Sequence, residues 1–312
     1  MQTKRALLLS ALWLLCGCDA FQSTQVSGRH ALAFQLMKGV PKQISNTGEF
    51  PGNNGLQTNS MINRGPSSGA THLFASSSSS PEGDSVDVEA ITKYGVALAT
   101  QVSLFYGFFT LLDTAVASTG FDVPFGVNVA LFYIMSLRSR IFNPLSNKRP
   151  DVKTMEAEGA MKRNMPSWTP PGVVFPIMWI LIIGPLRAVS SAMVYDVTQS
   201  YVDPAILAFA IHLSIGDVWN TINNVERRYG AAVSGVACVW LSKANTAYQY
   251  NQVSTTAGQL MSIPLVWLTV ASALVASTWQ LNPDEQTGEV DPLYPVAGKA
   301  STEFAWFKNA EE

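Results

Sequence analysis

Six apolar runs, each holding no more than one Lys, Arg, Asp or Glu, recur along the chain at 95–112, 123–137, 172–195, 204–222, 230–250 and 257–281. No other feature constrains the fold as tightly. A run of about 20 such residues matches the hydrocarbon thickness of a bilayer, where each backbone N–H and C=O must be satisfied within its own segment, so the runs are helices. Composition agrees, with 47% apolar and only 13% charged residues. The expected fold is all-α: a polytopic membrane protein with a five-helix transmembrane bundle over 121–282. One extra N-terminal helix, over 93–117, is accessory to it.

Charge in the connections orients the bundle, because Lys and Arg near helix ends stay on the side that is not translocated. The connection 138–167 carries Arg138, Arg140, Lys148, Arg149, Lys153, Lys162 and Arg163, and 222–230 carries Arg227 and Arg228. The alternate connections, 196–203 and 251–256, carry neither Lys nor Arg. Dropping or adding a helix in the middle would scramble that alternation.

Ahead of the bundle, Lys4 and Arg5 precede a short apolar core at 6–15, and small residues follow at Gly17 and Ala20. That is the layout of a signal peptide, 1–20. Residues 21–80 are rich in Ser, Asn, Gly and Gln. They carry Arg29, Lys38, Lys42 and Arg64 against the single acid Glu49, and end in a serine run at 76–80. Cleavage after Ala20 would expose Phe21, and the whole resembles the bipartite presequences that target proteins to the complex plastids of algae. On that reading the protein is an integral membrane protein of the plastid with its basic loops facing the stroma. A bacterial lipoprotein signal is the alternative, since Leu15, Cys16, Gly17 and Cys18 also form a fair lipobox. The polar stretch 283–312 is expected to be an unstructured tail, with Phe304, Trp306 and Phe307 as interface anchors.

Several function classes drop out. A net charge of −2 and a pI near 5.9 leave no basic excess for nucleic acid. With Cys16 and Cys18 in the leader, Cys238 stands alone, which excludes a disulfide scaffold or a thiolate metal site. There is no glycine-rich phosphate loop, metal-spaced His pair or nucleophile elbow, so no catalytic residue, metal or required cofactor is expected. Four ionisable residues lie inside predicted spans: Arg187, His212, Asp217 and Lys243. At a rise of ~1.5 Å per residue, Arg187 is ~22 Å from the basic end and Lys243 ~20 Å, so the two share a level. Either they snorkel toward the opposite face or they receive carboxylates of a ligand. Asp217, ~7 Å from the basic end, is too shallow for a direct pair with Arg187. It is expected to order its helix end with Asn220, Asn223 and Asn224, joined by Arg227 or Arg228.

The stretch Pro166, Ser167, Trp168, Thr169, Pro170, Pro171, Gly172, Val173, Val174, Phe175, followed by Trp179, resembles the signature of the tryptophan-rich sensory protein, or translocator protein, family, formerly the peripheral-type benzodiazepine receptors. Two blocks follow in the family's order: His212 and Leu213 to Trp219, then Pro264, Trp267, Ala271, Leu274 and Trp279 to Asn282. The resemblance covers 121–282. It implies a ligand that is a tetrapyrrole of the porphyrin or haem type, or another planar apolar molecule. The pocket it implies uses Trp168, Trp179, Trp219, Trp267, Ala271 and Leu274, with Arg187 and Lys243 for carboxylates and Trp168 capping it from the basic side. The roles implied are transport, trafficking or stress sensing. Alternatives are a Trp-dependent enzyme that breaks down bound porphyrin, and a structural membrane subunit. Partners are the lipid bilayer and that ligand; a homodimer is left open. The chain departs from the family at Gly216, Val275 and Pro264, and the segment 274–282 lacks the Tyr and basic residue of a sterol motif.

Overall fold

A computed structural model describes residues 85–150, 163–284 and 287–307; the predicted signal and transit segments lie outside them. Among the described residues six long helices follow one another: α1 Val88–Thr119, α2 Phe125–Arg138, α3 Val174–Thr198, α4 Pro204–Val225, α5 Tyr229–Val253 and α6 Thr255–Gln280. Their ends follow local chemistry. Asp87 caps α1 by accepting from the Ala90 N–H, and Asp203 caps α4 in the same way through Ala205, just ahead of Pro204. Pro204 sits in the first turn, where its missing N–H costs nothing. Ser254 caps α6 through the Ala257 N–H. Proline at 264 then interrupts α6 after Ser262.

α1, α3, α4 and α6 are long and apolar enough to cross a membrane. α5, at 25 residues, is long enough but more polar. α2 has only 14 residues, ~21 Å of helix, extended at its basic end by the 3₁₀ turn Ser139–Phe142. The chain is thus an all-α polytopic membrane protein, with the accessory helix, Val88–Thr119, extending the predicted 93–117 by a few residues at each end. α2 packs on α3, α3 on the first half of α6, α6 on α5, α5 on α4, and α4 on α1.

At the end poor in Lys and Arg, Phe105, Phe109, Phe132, Tyr195, Tyr201, Phe209 and Tyr250 form the aromatic core. α1 is tied there by Asp113, whose carboxylate accepts from Ser200 Oγ (2.7 Å) and the backbone N–H groups of Tyr201 (2.7 Å) and Val202 (3.1 Å). Halfway along, Gln101 is wholly buried. Its Nε2 donates to the Ser139 carbonyl (2.9 Å) and Asp217 Oδ2 (2.8 Å), while its Oε1 accepts from Asn143 (2.7 Å).

The other end departs from expectation. The segment 287–307 is not a loose tail: it lies across the basic end of the bundle, held by Arg228. That guanidinium donates to the carbonyls of Val296 (2.8 Å) and Ala300 (2.7 Å) and pairs with Asp87 (2.6 Å) and Glu226 (3.0 Å). Val86 and Val296 form an antiparallel bridge, as do Leu145 and Phe304. Lys93 donates to the Thr302 carbonyl, Ser234 to that of Leu293 and Trp279 Nε1 to that of Asp291. Gly230 makes the contact possible, because a Cβ there would sit 2.0 Å from the Pro292 carbonyl oxygen. Arg228 therefore serves the tail and not Asp217, which correspondingly takes its partner from α1.

Candidate functional site

A cavity of about 580 Å³ opens between the basic-side half of α3 and the facing parts of α2, α4, α5 and α6. That is within the ~300–1,000 Å³ of small-molecule sites. Its walls divide by chemistry. Phe175, Trp179, Trp267, Leu268, Ala271 and Leu274 make an apolar, aromatic side, while Arg140, Arg149, Arg163, Asn220, Asn223 and Asn224 make the basic mouth. Arg187, His212 and Asp217 also line it, about 20 Å, 20 Å and 12 Å from the basic ends of α3 and α4.

The shape of α3 follows from one proline. Ile177–Ile183 is wound as a π-helix, in which the Gly184 N–H reaches back five residues to the Trp179 carbonyl. In that register the next donor, for the Ile180 carbonyl, would come from residue 185, which is proline and has none. Tyr133 of α2 supplies it instead, its hydroxyl donating to Ile180 at 3.0 Å. Gly184 admits the ring, since a Cβ there would lie 2.8 Å from Tyr133 Cε2. Widened turns of this kind are frequent at functional sites. Here it sets Trp179 on the cavity wall, with the Arg187 guanidinium 5.3 Å from its ring centroid.

Arg187 does not snorkel. It is 8% exposed, and its Nη2 donates to His212 Nε2 at 2.9 Å. A guanidinium only donates, so Nε2 accepts and the proton of the neutral imidazole is on Nδ1, 3.0 Å from Ser242 Oγ. Arg187 and Asp217 form no ion pair, as their depths suggested. Among the described residues the buried side-chain donors without a partner include Ser136 Oγ, Arg163 Nε, Arg187 Nε and Trp267 Nε1, all on residues that line this cavity. At the mouth, Arg163 donates to Asn223 Oδ1 (3.1 Å) and Asn224 Oδ1 (3.4 Å), and burial pushes its guanidinium below its usual pKa. Arg140 donates to Thr221 Oγ1 at 2.9 Å.

Six of the eight residues expected at the site meet on this wall: Trp179, Trp219, Trp267, Ala271, Leu274 and Arg187. Trp219 is oriented by its Nε1 donating to the Ala232 carbonyl at 3.0 Å. The other two lie elsewhere. Trp168 is 47% exposed and off the cavity wall, and Lys243 is buried off the wall with its Nζ on Met261 Sδ. Phe175, Arg140, Arg163 and His212 were not among the expected site residues. For His212 a signal existed, because a histidine in a span next to an arginine at similar depth has few other partners.

The sequence profile of the TspO/MBR family matches residues 145–280, from the start of the connection after α2 through α6. "Protein CrtK" of Rhodobacter capsulatus is 32% identical over 125 residues, covering 39% of this chain and 76% of that protein. The "Tryptophan-rich sensory protein" of Cereibacter sphaeroides is 30% identical over 121 residues, covering 38% and 73%. The "Tryptophan-rich protein TspO" of Chlorobaculum tepidum is 29% identical over 119 residues, covering 38% and 75%. α1 precedes the matched stretch and 287–307 follows it, so the clasp at the basic end and the Gln101 tie are built on both sides of a shared core. With three such relatives matched over about three quarters of their length, the chain belongs to the TspO/MBR family of polytopic membrane proteins.

Proposed function

We propose that this protein is a membrane receptor or carrier for a tetrapyrrole, acting in transport, trafficking or stress sensing at a plastid membrane with its basic end toward the stroma. The observation that carries the reading is the cavity itself, whose one side presents the faces and edges of Trp179, Trp219, Trp267 and Phe175 and whose mouth is basic. A flat conjugated body stacks on such a surface, and acidic substituents are matched by the arginines. The name of one bacterial relative, the "Tryptophan-rich sensory protein" of Cereibacter sphaeroides, accords with a sensing role.

The test uses the full described chain in lipid nanodiscs, titrated with protoporphyrin IX in the dark while indole fluorescence is followed. Saturable quenching is expected, weakened about fivefold or more by Trp179→Ala or Trp267→Ala, since roughly 1 kcal/mol of stacking is lost. Trp279→Ala, whose Nε1 serves the Asp291 carbonyl, should leave affinity within about twofold. Absence of saturable binding overturns the reading. Illumination separates the enzyme alternative: loss of the porphyrin absorbance that depends on the cavity tryptophans would make the protein a catalyst of breakdown.

A further inference from the structure

Arg187 is a buried cation that touches no carboxylate among the described residues. Among the described residues no carboxylate lies within 4 Å of it, and one interaction, Nη2 with His212, accounts for a single one of its N–H donors. Its Nε is unpartnered, and so is the indole N–H of Trp267. Both residues line one cavity, toward the half away from its basic mouth. A guanidinium at this depth in a bilayer is costly unless an anion or acceptor completes it. Asp217 acts on it only from a distance, forming no ion pair with it within 4 Å, and its Oδ2 is held by Gln101. Lys243, the other cation at this level, is turned onto Met261 and off the cavity. What remains to complete Arg187 must arrive with the ligand.

We propose that Arg187 and Trp267 form a carboxylate seat inside the membrane, with His212 as the positioning residue that holds Arg187 toward it. This rests on the tetrapyrrole reading above and deepens it. The ligand is an acid, and one of its carboxylates is carried past the aromatic wall to Arg187 in addition to any held by Arg140 and Arg163 at the mouth. The carboxylate accepts from guanidinium and indole N–H groups, while Trp179 flanks the other side of the cation. His212 sets the guanidinium by accepting from Nη2, and is itself oriented through Nδ1 by Ser242. No charge on His212 is needed. Its role is geometric, and any acceptor at the place of Nε2 should serve.

The measurement compares protoporphyrin IX with its dimethyl ester, which has the same ring and no ionised group, on the whole protein in nanodiscs. Wild type should prefer the acid by about tenfold or more, as charge-assisted hydrogen bonds in a dry site discriminate strongly. Arg187→Met should bring the ratio to within about threefold of one. His212→Leu should lower the ratio as well, and His212→Gln, which keeps an acceptor, should restore it. A merely structural histidine would shift both affinities together and leave the ratio alone. If Arg187→Met does not fold, the two His212 variants decide. Equal binding of acid and ester by wild type overturns the seat while leaving tetrapyrrole binding intact. A ratio abolished by Arg163→Met and untouched by Arg187→Met also overturns it, moving recognition to the mouth. Binding of neither compound overturns the tetrapyrrole reading itself.

Discussion

Arg228 is the residue on which most of the basic end depends. Its side chain is 3% exposed and holds Asp87 ahead of α1, Glu226 after α4 and two carbonyls of the C-terminal segment. Replacing it with Met leaves the buried Glu226 without its ion-pair partner, which costs on the order of 3 kcal/mol. A clear fall in melting temperature is expected, together with new tryptic cleavage at Lys299. The clasp should also respond to acid. Burial raises the Asp87 carboxyl, but the Ala90 N–H and Arg228 more than offset that and hold it below its ordinary value. A depressed carboxyl confers stability that is complete above the ordinary value and lost as pH falls through the folded one. Glu226 runs the other way: burial holds it above its ordinary value, so its contribution is lost on raising the pH. Acid-induced opening of 287–307, followed by hydrogen exchange, should therefore set in only below the ordinary carboxyl range, as pH falls through the lower folded value of Asp87, with protonation of Glu226 opposing it. In Asp87→Asn that acid-induced opening should be absent. From sequence, Arg227 or Arg228 was expected to join Asp217 at the end of α4. The error is physical, because two of its four partners are backbone carbonyls, and no side-chain pattern marks which carbonyls a distant segment will present.

At the scale of helices, the apolar runs and their flanking charges were enough to place all six elements, since hydrocarbon permits few alternatives. What the runs concealed was the winding within α3. Pro185 sits in an apolar stretch that reads as ordinary helix, and its effect emerges only when Tyr133 of a neighbouring helix is seen to satisfy the Ile180 carbonyl. A double-mutant cycle tests that account. Tyr133→Phe should cost ~1–2 kcal/mol in the native background, where the Ile180 carbonyl, within a membrane-spanning helix, is left without a donor. In a Pro185→Ala background residue 185 has an N–H to offer, so the same change should cost much less. α1 was read as accessory, yet Gln101 contributes a partner to a cavity residue. Gln101→Leu should lower stability by about 1–3 kcal/mol, because Asp217, Asn143 and the Ser139 carbonyl each lose a partner away from water. Most of the site was legible through tryptophan positions. The exceptions, Trp168 and Lys243, depend on side-chain direction, which helix depth alone does not determine.

For the molecule as a whole, targeting and assembly make separate predictions. A fluorescent fusion of residues 1–80 should enter plastids, and Phe21→Ala should leave it outside; import that ignores the change removes the plastid assignment. Assembly is constrained by the clasp. Val86 pairs with Val296, and Lys93 with the Thr302 carbonyl, across more than two hundred residues. The ribosome makes the first of these long before the second. α1 must then wait in the translocon or the lipid without its C-terminal partners, while five further helices are threaded beside it. Completion of the last thirty residues acts as a proofreading step on the nascent chain. Stalled chains ending at 282 should insert all six helices yet crosslink α1 to lipid and insertion factors, and chains extended through 307 should lose those crosslinks.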